Sequence, residues 1–149
     1  MNFDLEKLLP HKKPMILIDD IIDYSLEENR IESIVKIQEN SMFFDKSING
    51  ISSCVGIEYM AQTIGCFAFL KAKLEKPKIG FLLGTRYYDN KIDKFNLNET
   101  YSIKATQNFS GDGIVSFECL IYNQQQEEVV QAALNVFQIQ DEKDILKIN

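Results

Sequence analysis

Apolar and polar positions alternate in several short stretches of this chain, and one longer stretch is apolar almost without interruption. Residues 30–37 set Ile31, Ser33, Val35 and Ile37 on one face and Glu32, Ile34 and Lys36 on the other. That period of two is the signature of a strand with one buried side. The isoleucine-rich run MILIDDIIDY at 15–24 precedes it, with Leu26-Glu27-Glu28-Asn29 between them, so a hairpin is predicted. Further strands are predicted at 79–88, 100–108, 114–122 and 128–139. Tyr101, Ile103 and Ala105 share one face of the second of these, and Val115, Phe117, Cys119 and Ile121 share one face of the third. Ser110-Gly111-Asp112-Gly113 and residues 123–126 supply the turns between them, and Asn49-Gly50 marks a turn in the loop at 38–51.

The uninterrupted apolar stretch predicts a helix from Ser52 or Ser53 to Leu74. Either serine can cap it, because a hydroxyl there satisfies an orphan amide. Lys71 and Lys73 suit its last turns, and Pro77 stops it. Being apolar nearly all round, it should be covered on most sides. A hairpin, one long helix and about four more antiparallel strands form a simple whole if the sheet wraps the helix. That arrangement is an α+β hotdog fold, and no linker, repeat or low-complexity tract divides residues 1–149 into more than one domain. The polar tail at 141–149 is expected to fray.

Residues 51–70 have the length of a membrane span. Ser52, Ser53, Glu58, Gln62 and Thr63 interrupt them, and a mid-membrane carboxylate costs ~2.5–3.5 kcal/mol on insertion scales. The stretch therefore reads as a buried helix with no membrane partner. A net charge of −6 and a pI near 4.8 leave no basic face for nucleic acid or for an anionic membrane surface. Cys54, Cys66 and Cys119 are odd in number and far apart, which predicts no disulfide framework; they read as core residues. One histidine cannot build a multi-histidine metal site within a single chain, so no metal is expected. The first residues carry no signal-peptide pattern, and a cytoplasmic setting is expected.

Glu58 is the outstanding candidate for chemistry, because a carboxylate inside an apolar helix is costly unless it is paired or used. Gln62, four residues on, shares its face, and Val55 and Gly65 border that stripe. His11, the chain's one histidine, sits in the loop Pro10-His11-Lys12-Lys13-Pro14. Imidazole changes charge near neutral pH and so suits proton transfer, although a loop histidine alone is more often a surface residue. The helix start at Cys54, Val55 and Gly56 offers amides that can hold a carbonyl oxygen, and Gly56 allows a ligand or another helix to come close. Every helix has such an end. Cys54 as a nucleophile lacks an evident activating partner. Lys71, Lys73, Lys76 and Lys78 form a basic cluster at the far end, either a solvated end or a dock for an acidic partner.

Three blocks carry a resemblance. Leu9-Pro10-His11-Lys12-Lys13-Pro14-Met15, with the apolar run to Asp19, resembles the Leu-Pro-His-x-x-Pro opening of 3-hydroxyacyl-[acyl-carrier-protein] dehydratases. Ile57-Glu58-Tyr59-Met60-Ala61-Gln62 resembles their helix motif. Phe81-Leu82-Leu83-Gly84-Thr85-Arg86 is similar to a block in a divergent branch tied to polyene-type pigment synthesis. The blocks span roughly the first 90 residues. The resemblance implies dehydration of a 3-hydroxyacyl thioester, carried on an acyl carrier protein, to a trans-2-enoyl thioester without a cofactor. It implies His11 and Glu58 as catalytic residues, Cys54, Val55, Gly56 and Gln62 at the substrate, and a homodimer or a heterodimer with another hotdog subunit whose sites draw on both chains. The standard enzymes carry a catalytic histidine after a Phe-Phe pair; here Phe43-Phe44 is followed by a shorter loop in which Ser47 takes that place. Either His11 has taken over the role, or the chain is a non-catalytic subunit of a heterodimer. Acyl-thioester hydrolysis is a third reading.

Overall fold

The computed structural model describes residues 3–72 and 80–138. A short helix, α1 (Leu5–Leu8), is capped by Asp4, whose carboxylate accepts from the Glu6 amide. Strands β1 (Asp20–Ser25) and β2 (Arg30–Lys36) form the predicted hairpin. Next come two short strands, β3 (Phe44–Asp45) and β4 (Gly50–Ser52), one 3-10 turn (Ser53–Val55) and the long helix α2 (Gly56–Ala72). The chain then runs through β5 (Gly80–Asn90), β6 (Lys94–Asn96), β7 (Thr100–Gly111), β8 (Ile114–Tyr122) and β9 (Glu128–Gln138). The main sheet has six antiparallel strands in the order β1-β2-β7-β8-β9-β5, and β3-β4-β6 form a second, small one.

The alternation read from the sequence is the alternation of burial. Ile31, Ser33, Val35, Tyr101, Ile103, Ala105, Phe117, Cys119 and Ile121 are all buried, and α2 packs on β2, β5, β7 and β8. Each buried aliphatic or aromatic side chain contributes ~1.5–3 kcal/mol. The sheet wrapped around one central helix is therefore the hotdog architecture. By length and composition alone Ser53–Ala72 could cross a membrane, yet half of its most apolar window is buried inside this fold. The β7–β8 hairpin closes at Asp112-Gly113, both with positive φ (55° and 80°), as a tight two-residue turn requires.

Three expectations change. Residues 15–19 are not strand: the side chain of Gln62 takes their backbone groups in place of a sheet ladder, accepting from the Leu17 amide at 2.8 Å and donating to the Met15 carbonyl at 2.8 Å. The segment at 38–51, read as loop, contains β3 and β4, too short to show a period. The helix proper starts at Gly56, because Ser52 caps the 3-10 turn instead, accepting from the Cys54 amide, while the Ser53 hydroxyl accepts from Asn90. The expected fraying at 141–149 and the predicted helical residues 73–74 lie outside the described residues.

Candidate active site

Glu58 lies in the first turn of α2, on the side that the sheet leaves open. The helix, expected to be covered on most sides, is open there: the Glu58 side chain is 40% exposed, so water still reaches it. His11 meets it from the loop after α1, with Nε2 3.5 Å from Glu58 Oε1 and the ring 33% exposed. The same carboxylate oxygen accepts from Gln62 Nε2 at 3.1 Å. The Gln62 amide thus reaches Glu58 and both ends of the Met15–Leu17 backbone, tying the loop to the helix. His11 Nδ1 is buried and, among the described residues, has no hydrogen-bond partner. An orphan polar atom of this kind is uncommon in a folded protein and is most often explained by strain, by a missing water or by a functional role.

His11 and Glu58 open on a cavity of about 370 Å³ that runs along α2. Its helix wall includes small residues at helical spacing, Ala61, Gly65, Ala68 and Ala72, beside Ile64 and Phe67; Val115, Phe117 and Val136 of the sheet also line it. The lining is mostly apolar, with polar groups concentrated at the His11–Glu58 pair and at Lys71, Gln107 and Ser110. Such a space fits a long, narrow, apolar ligand whose reactive end lies at a titratable pair. The cavity wall was not legible in the sequence, since small residues in a helix signal nothing by themselves.

The helix start is arranged differently from the expectation. Cys54, Val55 and Gly56 do not line this cavity. The Gly56 amide donates to the Ser53 carbonyl, and the Cys54 amide is bonded to Ser52 Oγ. Gly56 does permit a close approach, but by Tyr88, Phe95 and Ile121 of the fold and not by a ligand. Val55 packs against the core. Cys54 is exposed, which corrects its reading as a core residue, whereas Cys66 and Cys119 are buried and their thiols are pushed up to about 12 by burial. Lys71 is engaged, donating to the Leu26 carbonyl at 2.9 Å and to Asn29 Oδ1 at 2.6 Å, so it holds the β1–β2 turn; Lys73, Lys76 and Lys78 lie outside the described residues. Ser47 sits in an exposed turn and donates to Asp45 Oδ1 at 2.6 Å, a bond local to that turn.

Comparison with known proteins agrees with this architecture. Among solved structures, a chain of the dehydratase heterocomplex ApeI:P from Xenorhabdus doucetiae superposes with a TM-score of 0.87 at 25% identity, covering 100% of this chain and 99% of that one. A thioesterase from Haemophilus influenzae shares the fold alone, with a TM-score of 0.67 at 15% identity over 93% of this chain and 92% of that one. The 3-hydroxyacyl-[acyl-carrier-protein] dehydratase FabZ of Staphylococcus carnosus is 30% identical over 83 residues, 54% of this chain and 56% of that protein. The bifunctional enzyme LpxC/FabZ of Chlorobaculum tepidum is 34% identical over 83 residues, again 54% of this chain but 18% of that enzyme. This chain thus matches little more than half the length of the FabZ relative and much less of the bifunctional one. The profile of the ApeP-like family, ApeP dehydratase, matches residues 3–147, and the chain belongs to that family.

Proposed function

We propose that this protein dehydrates a 3-hydroxyacyl thioester carried on an acyl carrier protein, giving the trans-2-enoyl thioester and water, as a cytoplasmic enzyme. The observation that carries the reading is the His11–Glu58 pair, 3.5 Å apart at one end of an apolar cavity. The elimination breaks the Cα–H bond and the Cβ–O bond. His11 takes the α-proton, the electron pair forms the Cα=Cβ double bond, and Glu58 orients or protonates the departing hydroxyl, which leaves as water. Gln62 holds Glu58 in place, and the apolar walls take the acyl chain. In this reading the histidine expected at Ser47 is replaced by His11, from the same chain as the carboxylate.

One observation favours a second reading. A structural relative is a chain of a heterocomplex, and Ser47 leaves the usual histidine position empty of a base. The chain would then be the supporting subunit of a hotdog heterodimer. Incubation with a 3-hydroxyacyl carrier-protein thioester, followed by mass, separates the two. Loss of one water that requires His11 and Glu58 supports the enzyme. No loss from the folded protein alone, with activity regained on adding a second hotdog subunit, supports the heterodimer. Release of free thiol would identify a thioesterase instead.

A further inference from the structure

His11 lies in a segment without secondary structure, so something outside the loop must set its distance from Glu58. On its C-terminal side Gln62 clamps Met15 and Leu17. On its N-terminal side the anchor is Leu9, two residues before His11, which is 1% exposed, and its amide closes α1 on the Leu5 carbonyl. Leu9 packs on α2 at Gly65: a Cβ on Gly65 would stand 2.9 Å from Leu9 Cδ2, the end of a side chain that is buried and would have to shift. Glu58 and Gly65 are seven residues apart, two turns of one helical face, with Gln62 between them. A glycine in mid-helix weakens the helix relative to alanine, so its presence there needs a packing reason.

We infer that Gly65 is a positioning residue: its missing side chain is the seat for Leu9, and the seat fixes where His11 stands over Glu58. This rests on the reading of His11 and Glu58 as the reacting pair, but it is tested without that reading. The chain has one histidine, so its ring protons are identified without ambiguity by NMR. In the wild type they should show a cross-relaxation peak to the Glu58 side-chain methylene protons. Gly65→Ala should fold, the helix preference for alanine offsetting part of the cost of shifting Leu9, and should lose that peak. Its kcat should fall roughly tenfold or more, since ångström-scale misplacement of a reacting group costs up to about 100-fold.

Leu9→Val in the Gly65→Ala background removes the clashing carbon and should restore both the peak and the rate. A merely structural glycine would not show that rescue. Should Gly65→Ala fail to fold, Leu9→Ala, which removes the anchor from the other side, should lose the peak in its place. A retained peak in folded Gly65→Ala, or a folded double variant that does not regain it, overturns the inference. Peaks that vanish and return as stated, in a wild type that eliminates no water, leave the positioning intact and remove the proposed activity instead.

Discussion

The two sides of α2 are built on opposite principles. The sheet side carries Tyr59, Met60, Thr63, Cys66 and Phe67, all nearly inaccessible. Tyr59 packs against Phe95 with ring centroids 5.4 Å apart, and Thr63 and Ser33 share a buried hydroxyl pair at 2.6 Å. The side along the cavity carries Glu58, Ala61, Gly65, Ala68, Lys71 and Ala72, mostly small, and Ile64 and the ring of Phe67 also reach the cavity. One helix thus holds the fold together with one face and presents its one carboxylate to a cavity with the other. Close packing makes the first face intolerant of lost volume, whereas the second borders a space that added volume would fill.

The largest expected effect falls on the open face. Glu58→Gln and His11→Ala should each lower turnover about 100- to 10,000-fold, the usual range for a lost acid or base. Both should leave the melting temperature near wild type, because both side chains are a third or more exposed. Loss of folding in either would merge the two faces and end the contrast. Next is Met60→Ala on the sheet side, which should cost ~2–5 kcal/mol in a urea titration. Ala68→Leu is its mirror image: it fills cavity, so KM should rise strongly while stability changes little.

A smaller effect is expected at the buried hydroxyl pair. Thr63→Val leaves the Ser33 hydroxyl without its partner and should cost about 1–3 kcal/mol. Adding Ser33→Ala should recover part of that loss, as a double-mutant cycle would read. Smallest is thiol reactivity at neutral pH. Cys54 is exposed and should be labelled in the folded protein, whereas Cys66 and Cys119, pushed up to about 12 by burial, should react only on unfolding. Three labelled thiols in the native state would mean that the sheet side is looser than its burial indicates.

The helix, the hairpin and β7–β9 were legible in the chain because each has one buried face, which imposes a period on the residues themselves. Residues 100–108 and 114–122 illustrate it: what alternates in the sequence alternates in burial. Glu58 stood out for the same reason, as a charge in an apolar run. The strands β3 and β4 did not, since two or three residues carry no period, and residues 15–19 resembled a strand because side chains do not reveal that Gln62 will take their backbone groups. At the helix start Ser52 takes the Cys54 amide and the Ser53 carbonyl takes the Gly56 amide, partners that the sequence does not reveal.

The sequence by itself determined the hotdog class and the central helix, and marked Glu58 as an isolated charge, because periodicity and an isolated charge are local properties; His11 stood out only through the family resemblance. Tertiary structure alone decided that His11 comes to Glu58 within one chain, that Gln62 and Gly65 hold it there, and that small residues leave a cavity beside them. Those are meetings between segments 45 or more residues apart, and no local preference of either segment encodes the other's position.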